Sequence, residues 1–140
     1  MNLSKEIKLV RCAGYHDTEE THTVTGADVD FSNYDGVLFF GYVAKKTNST
    51  DLNELVIYQK DSLGSYTALT GAVAIAVDDA EVIAVDVYRP LESQGKVLRA
   101  ILEIATASKT GDLYALLYNG RIKPEEFADV VTLAISPATV

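Results

Sequence analysis

Short apolar runs alternate along this chain with clusters of turn-forming residues. Gly, Asn, Asp and Ser gather between the runs at intervals of roughly a dozen residues, a spacing typical of antiparallel β structure. The pattern predicts strands near Ile7–Arg11, Thr21–Thr25, Val37–Ala44, Leu55–Gln59, Val73–Ala76, Val82–Tyr88, Val97–Ala105, Leu113–Tyr118 and Val130–Ile135. So many short strands predict an all-β fold, either an antiparallel β-sandwich or a jelly-roll-like barrel, with at most one short helix.

One apolar run, KVLRAILEIATA at residues 96–107, fits a helical stripe as well as one face of a strand. As a strand it places Arg99 and Glu103 together on the opposite face, and its flanks, ESQG and SKTGD, are turn-like rather than helix caps. We therefore predict a strand for this run. The one short helix is expected at KPEEFADV, where Pro124 would occupy the first turn and two acidic residues would suit the helix dipole.

The strand predicted at Val37–Ala44 is apolar on both of its faces. Successive side chains of an extended chain point to opposite sides. One side therefore carries Val37, Phe39, Gly41 and Val43, and the other carries Leu38, Phe40 and Tyr42. A strand with one wetted side alternates apolar and polar residues, so this strand needs cover on both sides. We expect one face to pack in the core of the protomer and the other to meet the opposite sheet or an adjacent copy in a symmetric oligomer.

Length and charge narrow the class of protein. The 140 residues suit a single β domain, residues 1–140, in which residues 1–30 are expected to form an N-terminal arm or an added strand. The formal net charge of −8 argues against binding to nucleic acid or to an anionic membrane, because both need clustered Lys and Arg.

Cysteine content and hydropathy indicate in which cellular compartment the protein is made. A lone cysteine, Cys12, allows no intrachain disulfide, and we interpret it as a core or edge side chain. The first ten residues lack the apolar core of a signal peptide, so synthesis in a cytoplasm is expected. No apolar run approaches the roughly 20 residues that span a bilayer.

Residue types that act in catalysis or metal binding in other proteins form no known catalytic pattern in this sequence. The segment GYHDTEETH at residues 14–22 holds two histidines among acidic residues, and we interpret it as a solvated loop rather than a zinc site, which needs three or four converging ligands. QGKV at residues 94–97 is not a phosphate loop, because Pro90 and Val97 replace its glycine and its Ser or Thr. Asp78, Asp79 and Glu81 are interpreted as a wet connection between strands. We therefore expect no catalytic residue, no metal, no cofactor and no enzymatic activity.

The chain has eight tyrosines and no tryptophan. Most of the tyrosines lie in or beside predicted strands, where an amphipathic ring caps the edge of a core and keeps its hydroxyl in water. The alternative is an aromatic platform that stacks on sugars, which would require several tyrosines on one exposed face. Stacking on unpaired bases is disfavoured by the negative charge.

Three segments and the closing residues of the chain resemble small virion structural proteins of tailed bacteriophages. The segments are SNYDGVLFFGYV, VIAVDVYRP and DLYALLYNGRIKP, followed by ISPATV. In that family a YDGV turn leads into an apolar strand, a DVYRP element precedes a strand with an arginine, a strand ends in YG-R-K-P, and the tail carries SP. The matching positions are Tyr34–Val37, Asp86–Pro90 with Arg99, Tyr118 with Gly120, Arg121, Lys123 and Pro124, and Ser136–Pro137.

The resemblance covers roughly the last three quarters of the chain, and its weight comes from the order and spacing of motifs that are individually unspecific. Two positions depart from the family pattern. LESQG follows YRP where similar sequences carry a basic run, and Asn119 stands between Tyr118 and Gly120. A contact that depends on that basic run is therefore not carried over to this chain.

The resemblance implies a non-enzymatic virion structural protein, a capsid decoration or cement protein on the outer surface of the head. Such a protein is made in the cytoplasm of the host bacterium and then resides in the virion. Its implied partners are the major capsid protein and copies of itself, and a trimer is the expected homo-oligomer. The alternative functions are another virion component, in the tail, the head–tail joint or a spike, and a carbohydrate-binding β-sandwich module.

Arginine is favoured at protein interfaces. Together with the resemblance, this preference gives the candidate interface residues Phe39, Tyr88, Arg89, Arg99 and Arg121. A salt bridge of Arg89 or Arg99 across neighbouring strands with Glu103 or Asp86 is the alternative role for these arginines.

Overall fold

A computed structural model describes residues 7–48, 50–91 and 94–118, together with the backbone of residues 130–137. The strands are β1 (Ile7–Ala13), β2 (His16–Thr25), β3 (Val29–Asp30), β4 (Gly36–Val43), β5 (Asn53–Lys60), β6 (Tyr66–Ile75), β7 (Glu81–Tyr88), β8 (Val97–Thr110), β9 (Leu113–Tyr118) and β10 (Val130–Pro137). Within these ranges there is no α-helix, and so no helix long and apolar enough to cross a membrane. The predicted all-β fold is confirmed.

The strands form two layers. Sheet I has the order β1-β9-β4-β7-β10, and its pairs are antiparallel except for the parallel pair of β7 and β10. In sheet II both β2 and β3 pair with β8, which pairs with β5, which pairs with β6. A bridge between Val43 of β4 and Thr110 at the end of β8 joins the two sheets at one corner.

The order in which the strands pair is nested along the chain. β1 pairs with β9, β2 with β8, β4 with β7 and β5 with β6. The chain is thus one long antiparallel ribbon rolled into two layers, which is the jelly-roll arrangement. β3 extends the edge of sheet II beside the start of β8, and β10 is an added edge strand of sheet I. Residues 7–30 supply β1, β2 and β3 to the two sheets.

The main core lies between the sheets. Its largest inaccessible side chains are Phe31, Phe39, Leu55, Ile57, Leu69, Ile83, Leu98, Leu102, Leu113 and Leu117. The strand predicted for the ambiguous run is confirmed, because buried and accessible residues alternate with a period of two along β8. Ile101, which a helical stripe would have placed beside Leu98 in the core, lies on the outside of sheet II.

Strand ends differ from the prediction where hydrogen bonding overrides local composition. β2 begins at His16, so the polar segment taken for a loop is an edge strand that pairs with the far end of β8 through two register shifts. β6 begins at Tyr66, seven residues before the predicted start, and the short β3 was not predicted at all. Charged side chains are compatible with an edge strand, because such a strand hydrogen-bonds to a neighbouring strand along only one of its two edges. The expected helix at residues 123–130 lies outside the described residues except for Val130, which begins β10.

Candidate functional site

The outer face of sheet I carries a second apolar cluster, separate from the core. Leu38 and Ala84 are 1% and 0% exposed, although their neighbours in the chain, Phe39 and Val85, are the ones that face the opposite sheet. The partly buried residues packed on this outer cluster are Ile7, Phe40, Tyr88 and Leu116. The two apolar faces of β4 therefore serve different layers. One packs in the core between the sheets, and the other packs in the buried cluster on the outer side of sheet I.

Aromatic side chains dominate this outer face. Phe40 stacks on Tyr114 with ring centroids 5.6 Å apart, and Tyr88 stacks on Tyr118 at 6.4 Å. Tyr42, on the same side of β4, is 39% exposed. Four tyrosines, at positions 42, 88, 114 and 118, thus share one face of the sandwich. We call this side of sheet I the aromatic face; Tyr118 is buried in it, Tyr88 and Tyr114 are partly buried, and Tyr42 is exposed.

A buried hydrogen bond ties β7 to β9 within the aromatic face. The Tyr118 hydroxyl donates to Asp86 Oδ1 at 2.5 Å, and both residues are 3% exposed. Burial raises the pKa of the Asp86 carboxyl above its ordinary value, although the hydrogen bond from Tyr118 acts in the opposite direction. Burial and the Asp86 carboxylate raise the pKa of Tyr118, so its hydroxyl stays protonated and continues to donate. Gly36 leaves the space that the Tyr118 ring occupies, since an added Cβ there would meet the ring.

Two predicted interface residues, Tyr88 and Arg89, lie side by side where β7 ends. The Arg89 guanidinium lies over the Tyr88 ring at 5.3 Å from its centroid, and the Arg89 side chain is exposed. Arg89 adopts a left-handed backbone conformation with φ of 52°, and its N–H donates to Asp35 O at 2.6 Å. The backbone bond fixes the chain direction at this point, and it leaves a cationic side chain at the rim of the aromatic face.

Arg99 lies on the other outer surface, that of sheet II, near the start of β8. It pairs with Asp28, whose carboxylate is 3.1 Å from the guanidinium and also accepts from the Tyr66 hydroxyl at 2.7 Å. Lys60 Nζ is 3.4 Å from the same carboxylate, and Arg99 stacks over the Tyr66 ring at 4.1 Å. The Tyr66 hydrogen bond, with Arg99 and Lys60, holds the pKa of Asp28 below its usual range. The salt bridge expected for Arg99 exists, but its partner is Asp28 rather than Glu103 or Asp86.

The outer surface of sheet II has an aliphatic centre. Core residues of β5 and β8 alternate with outward-facing ones, and Val56 and Ile101 stand opposite each other in the middle of this surface. Glu54 and Glu103 stand opposite each other two residues further along. Burial and the charge of Glu103 raise the pKa of Glu54. We call this surface the outer face of sheet II.

The remaining candidate interface residues are placed differently. Phe39 is 0% exposed between the sheets, so its side chain belongs to the core and is not available at a surface. Its place follows from the alternation along β4, in which Val37 and Val43 point the same way. Arg121 lies outside the described residues.

The two histidines of the segment at residues 14–22 form a stacked pair. The rings of His16 and His22 lie 3.9 Å apart, His16 Nε2 is 2.7 Å from Glu20 Oε1, and His22 Nε2 is 3.3 Å from Thr110 Oγ1. Across the residues that the structure describes, no three or more His, Cys, Asp or Glu side chains are grouped to hold a metal ion.

Two other groups singled out in the sequence have structural roles. Glu81 was expected to be wet, but it is buried, and its Oε2 accepts from the N–H groups of Val77 and Asp78 at 2.8 and 2.7 Å. It thereby closes the connection from sheet II to sheet I. Cys12 is buried at the edge of the core, and burial raises the pKa of its thiol to about 11, which keeps it neutral at physiological pH.

No protein-family model matches this sequence, and no curated protein matches it. Solved structures with a similar shape include YomS, a protein derived from the SPBc2 prophage, with a TM-score of 0.48, 8% identity and coverage of 80% of this chain and 92% of that one. A structure of the infectious bursal disease virus Gx strain has a TM-score of 0.47 and 11% identity, and the match covers 84% of this chain and 34% of that one. A structure of the CBM22-1 and GH10 modules of Clostridium thermocellum endo-1,4-beta-D-xylanase 10B has a TM-score of 0.43 and 11% identity. The match covers 84% of this chain and 30% of that one. Similarity this distant does not assign a function.

Proposed function

We propose that this chain is a non-enzymatic structural protein of a tailed-bacteriophage virion, a capsid decoration or cement protein attached to the outer surface of the head. The observation that carries the proposal is the exposure of large apolar and aromatic side chains on the outer side of sheet I, Leu9 at 60% and Tyr42 at 39%, outside a jelly-roll sandwich that already has a core between its sheets. A protein of this size needs one apolar layer to fold, and contiguous apolar surface beyond that layer is suited to contacts between subunits. The sequence resemblance points to the same function.

Charge supports a position outside the shell. The chain carries a formal net charge of −8, which is repelled by packaged DNA on the inside of a capsid and is tolerated on the outside. The proposed partners are the major capsid protein and further copies of this chain, and the proposed location is the capsid surface after synthesis in the host cytoplasm.

We assign the capsid contact to the aromatic face and its rim. Tyr42 is 39% exposed on this face, Leu9 of β1 is 60% exposed, and Arg89 offers a cation beside Tyr88. Aromatic and arginine side chains are the types that anchor interfaces, because each combines a large apolar surface with a directed polar group.

The test is binding of the purified protein to undecorated capsids of the phage that carries its gene, measured by co-sedimentation. Binding at a fixed ratio to the major capsid protein is expected. Arg89→Glu should weaken it by about tenfold or more, because a cation at the rim is replaced by an anion. Lys46→Glu makes the same charge change in the β4–β5 connection at the other end of β4, and it should bind as the unaltered protein does. Binding to purified tails but not to heads would instead assign the chain to another virion component.

A carbohydrate-binding module is the second candidate, because the tyrosines at 42, 88, 114 and 118 share one face. Stacking on a sugar requires an accessible ring, and Tyr42 has the accessibility for it. A glycan array separates the two functions. Glycan binding that is lost in Tyr42→Ala would favour the module, and an array without signal together with capsid binding would favour decoration.

A further inference from the structure

Along the outer face of sheet II, charges of opposite sign lie on either side of an apolar centre. The register of β5 and β8 sets Tyr58 opposite Arg99, Val56 opposite Ile101, and Glu54 opposite Glu103. Rows of outward-facing residues are about 6.6 Å apart along a strand. The arginine row and the glutamate row are therefore equally far from the Val56–Ile101 row, on opposite sides of it.

The two ends of this face differ in net charge. Arg99 and Lys60 share the single carboxylate of Asp28, which leaves a positive surplus at one end. Glu54 and Glu103 form the other end, and among the described residues neither makes an ion pair with a basic side chain. Like charges directly opposite each other on a sheet are unfavourable. In an isolated protomer, Glu54 and Glu103 therefore repel each other, and a basic side chain from another molecule would relieve that repulsion.

We propose that a second copy of this chain docks on this face, with a twofold axis that runs across the strands through the Val56–Ile101 row. Such an axis reverses the strand direction and keeps each strand over its own counterpart. Arg99 of one copy then faces Glu103 of the other, and Tyr58 faces Glu54. Each contact occurs twice, as in any twofold interface between identical surfaces.

The apolar centre supplies the area for this contact. Val73 of β6 extends the Val56–Ile101 row, because it pairs with Val56, and Ile75 of β6 adds an apolar side chain to the neighbouring row, opposite Glu54. Four strands about 4.8 Å apart, each contributing about seven residues, span roughly 20 Å by 20 Å. A face of that size is enough for a modest interface of about 1,000 Å² in total, and two sheets packed face to face lie about 10 Å apart.

The inference concerns association between copies: it gives a twofold dimer in place of the trimer expected from the sequence, and it stands whether or not the protein decorates a capsid. It is tested by sedimentation equilibrium of the full chain at several concentrations. The unaltered protein should form a dimer that weakens as salt is raised, because the terminal contacts are charged. Glu103→Arg places cations opposite Arg99 twice per dimer and should raise the dissociation constant by about 100-fold or more. Asp78→Arg, which makes the same charge change in the exposed β6–β7 connection, should leave the dimer intact.

A mixing experiment tests the pairing itself. Arg99→Glu alone should also fail to dimerise, but an equal mixture with Glu103→Arg should form a one-to-one heterodimer, since every facing pair is again of opposite charge. Because Arg99→Glu also sets an anion beside Asp28, its folding is checked by circular dichroism. Ile101→Lys, which brings two cations together on the axis, provides a second variant that should be monomeric. A monomer at every concentration, or an oligomer that Glu103→Arg and Ile101→Lys leave unchanged, would overturn the inference.

Discussion

Truncation of Phe39 to alanine tests whether β4 contributes its two faces to two separate layers. Phe39 is 0% exposed in the core between the sheets. A buried phenylalanine withdraws roughly 150 Å² or more from water, which at about 25 cal/mol per Å² amounts to about 4 kcal/mol. Measured Phe→Ala changes in cores cost about 3–5 kcal/mol. The free energy of unfolding of domains of this kind is only about 5–15 kcal/mol. Phe39→Ala should therefore remain folded but lose much of its free energy of unfolding.

Urea unfolding followed by circular dichroism measures the effect. With a slope of about 2 kcal/mol per molar urea, the midpoint should fall by about 2 M while the slope is unchanged. Leu38→Ala, one residue away on the opposite face, should also destabilise by about 2 kcal/mol or more, because Leu38 is 1% exposed in the outer cluster. Tyr42→Ala is the control, with a loss of about 1 kcal/mol or less, because its ring is already partly in water. If Phe39→Ala cost no more than Tyr42→Ala, the assignment of Phe39 to the core would be refuted.

Three further changes test particular contacts. Because the folded pKa of Asp86 is raised, the stability it contributes is present below the ordinary pKa of an aspartate and is lost as pH rises through the raised value. Asp86→Asn should therefore increase the urea midpoint at pH 7 and flatten its dependence on pH, and a lower midpoint at pH 7 would contradict this reasoning. Asn53 is buried, donates to the carbonyl groups of Lys45 and Thr106 at 3.0 Å and accepts from Thr106 N–H at 2.8 Å, so Asn53→Ala should cost about 2–4 kcal/mol in thermal unfolding. Gly36→Ala should lower the melting temperature by several degrees, at about 4 °C or less per kcal/mol for a chain of this size, because its Cβ would meet the Tyr118 ring; no change in melting temperature would contradict that contact.

The sequence pattern was sufficient for the fold class because turn-forming clusters separate its short apolar runs, and because the one ambiguous run, which became β8, keeps the period of two of a β-strand. Leu98 and Leu102 face the core as the alternation predicted, and Ile101 does not. The pattern was insufficient at the edges of the sheets. β2 begins in the segment that holds His16 and Glu20, where hydrogen bonds to β8 from distant parts of the sequence decide the structure.

The candidate site was less accessible to sequence reasoning, because its contacts join residues far apart in the chain. Arg99 is a predicted interface residue with a salt bridge to Glu103 or Asp86 as its alternative role, but its carboxylate partner is Asp28, 71 residues away. Nothing local to Asp28 marks it as a partner. The register that sets Glu54 opposite Glu103 follows from pairing between β5 and β8 and could not be read from either segment alone. In the sequence, the aromatic face was indicated by the two apolar faces of β4 and by the tyrosines in or beside predicted strands.

The most direct test of the proposed function is a cryo-electron microscopy reconstruction of virions made from the genome, proposed to be that of a phage, that encodes this chain. The account predicts this jelly-roll on the outer surface of the head, in a fixed number of copies per capsomer, with the aromatic face against the major capsid protein. Virions that contain no copy of the chain, or a copy in the tail or inside the head, would contradict it.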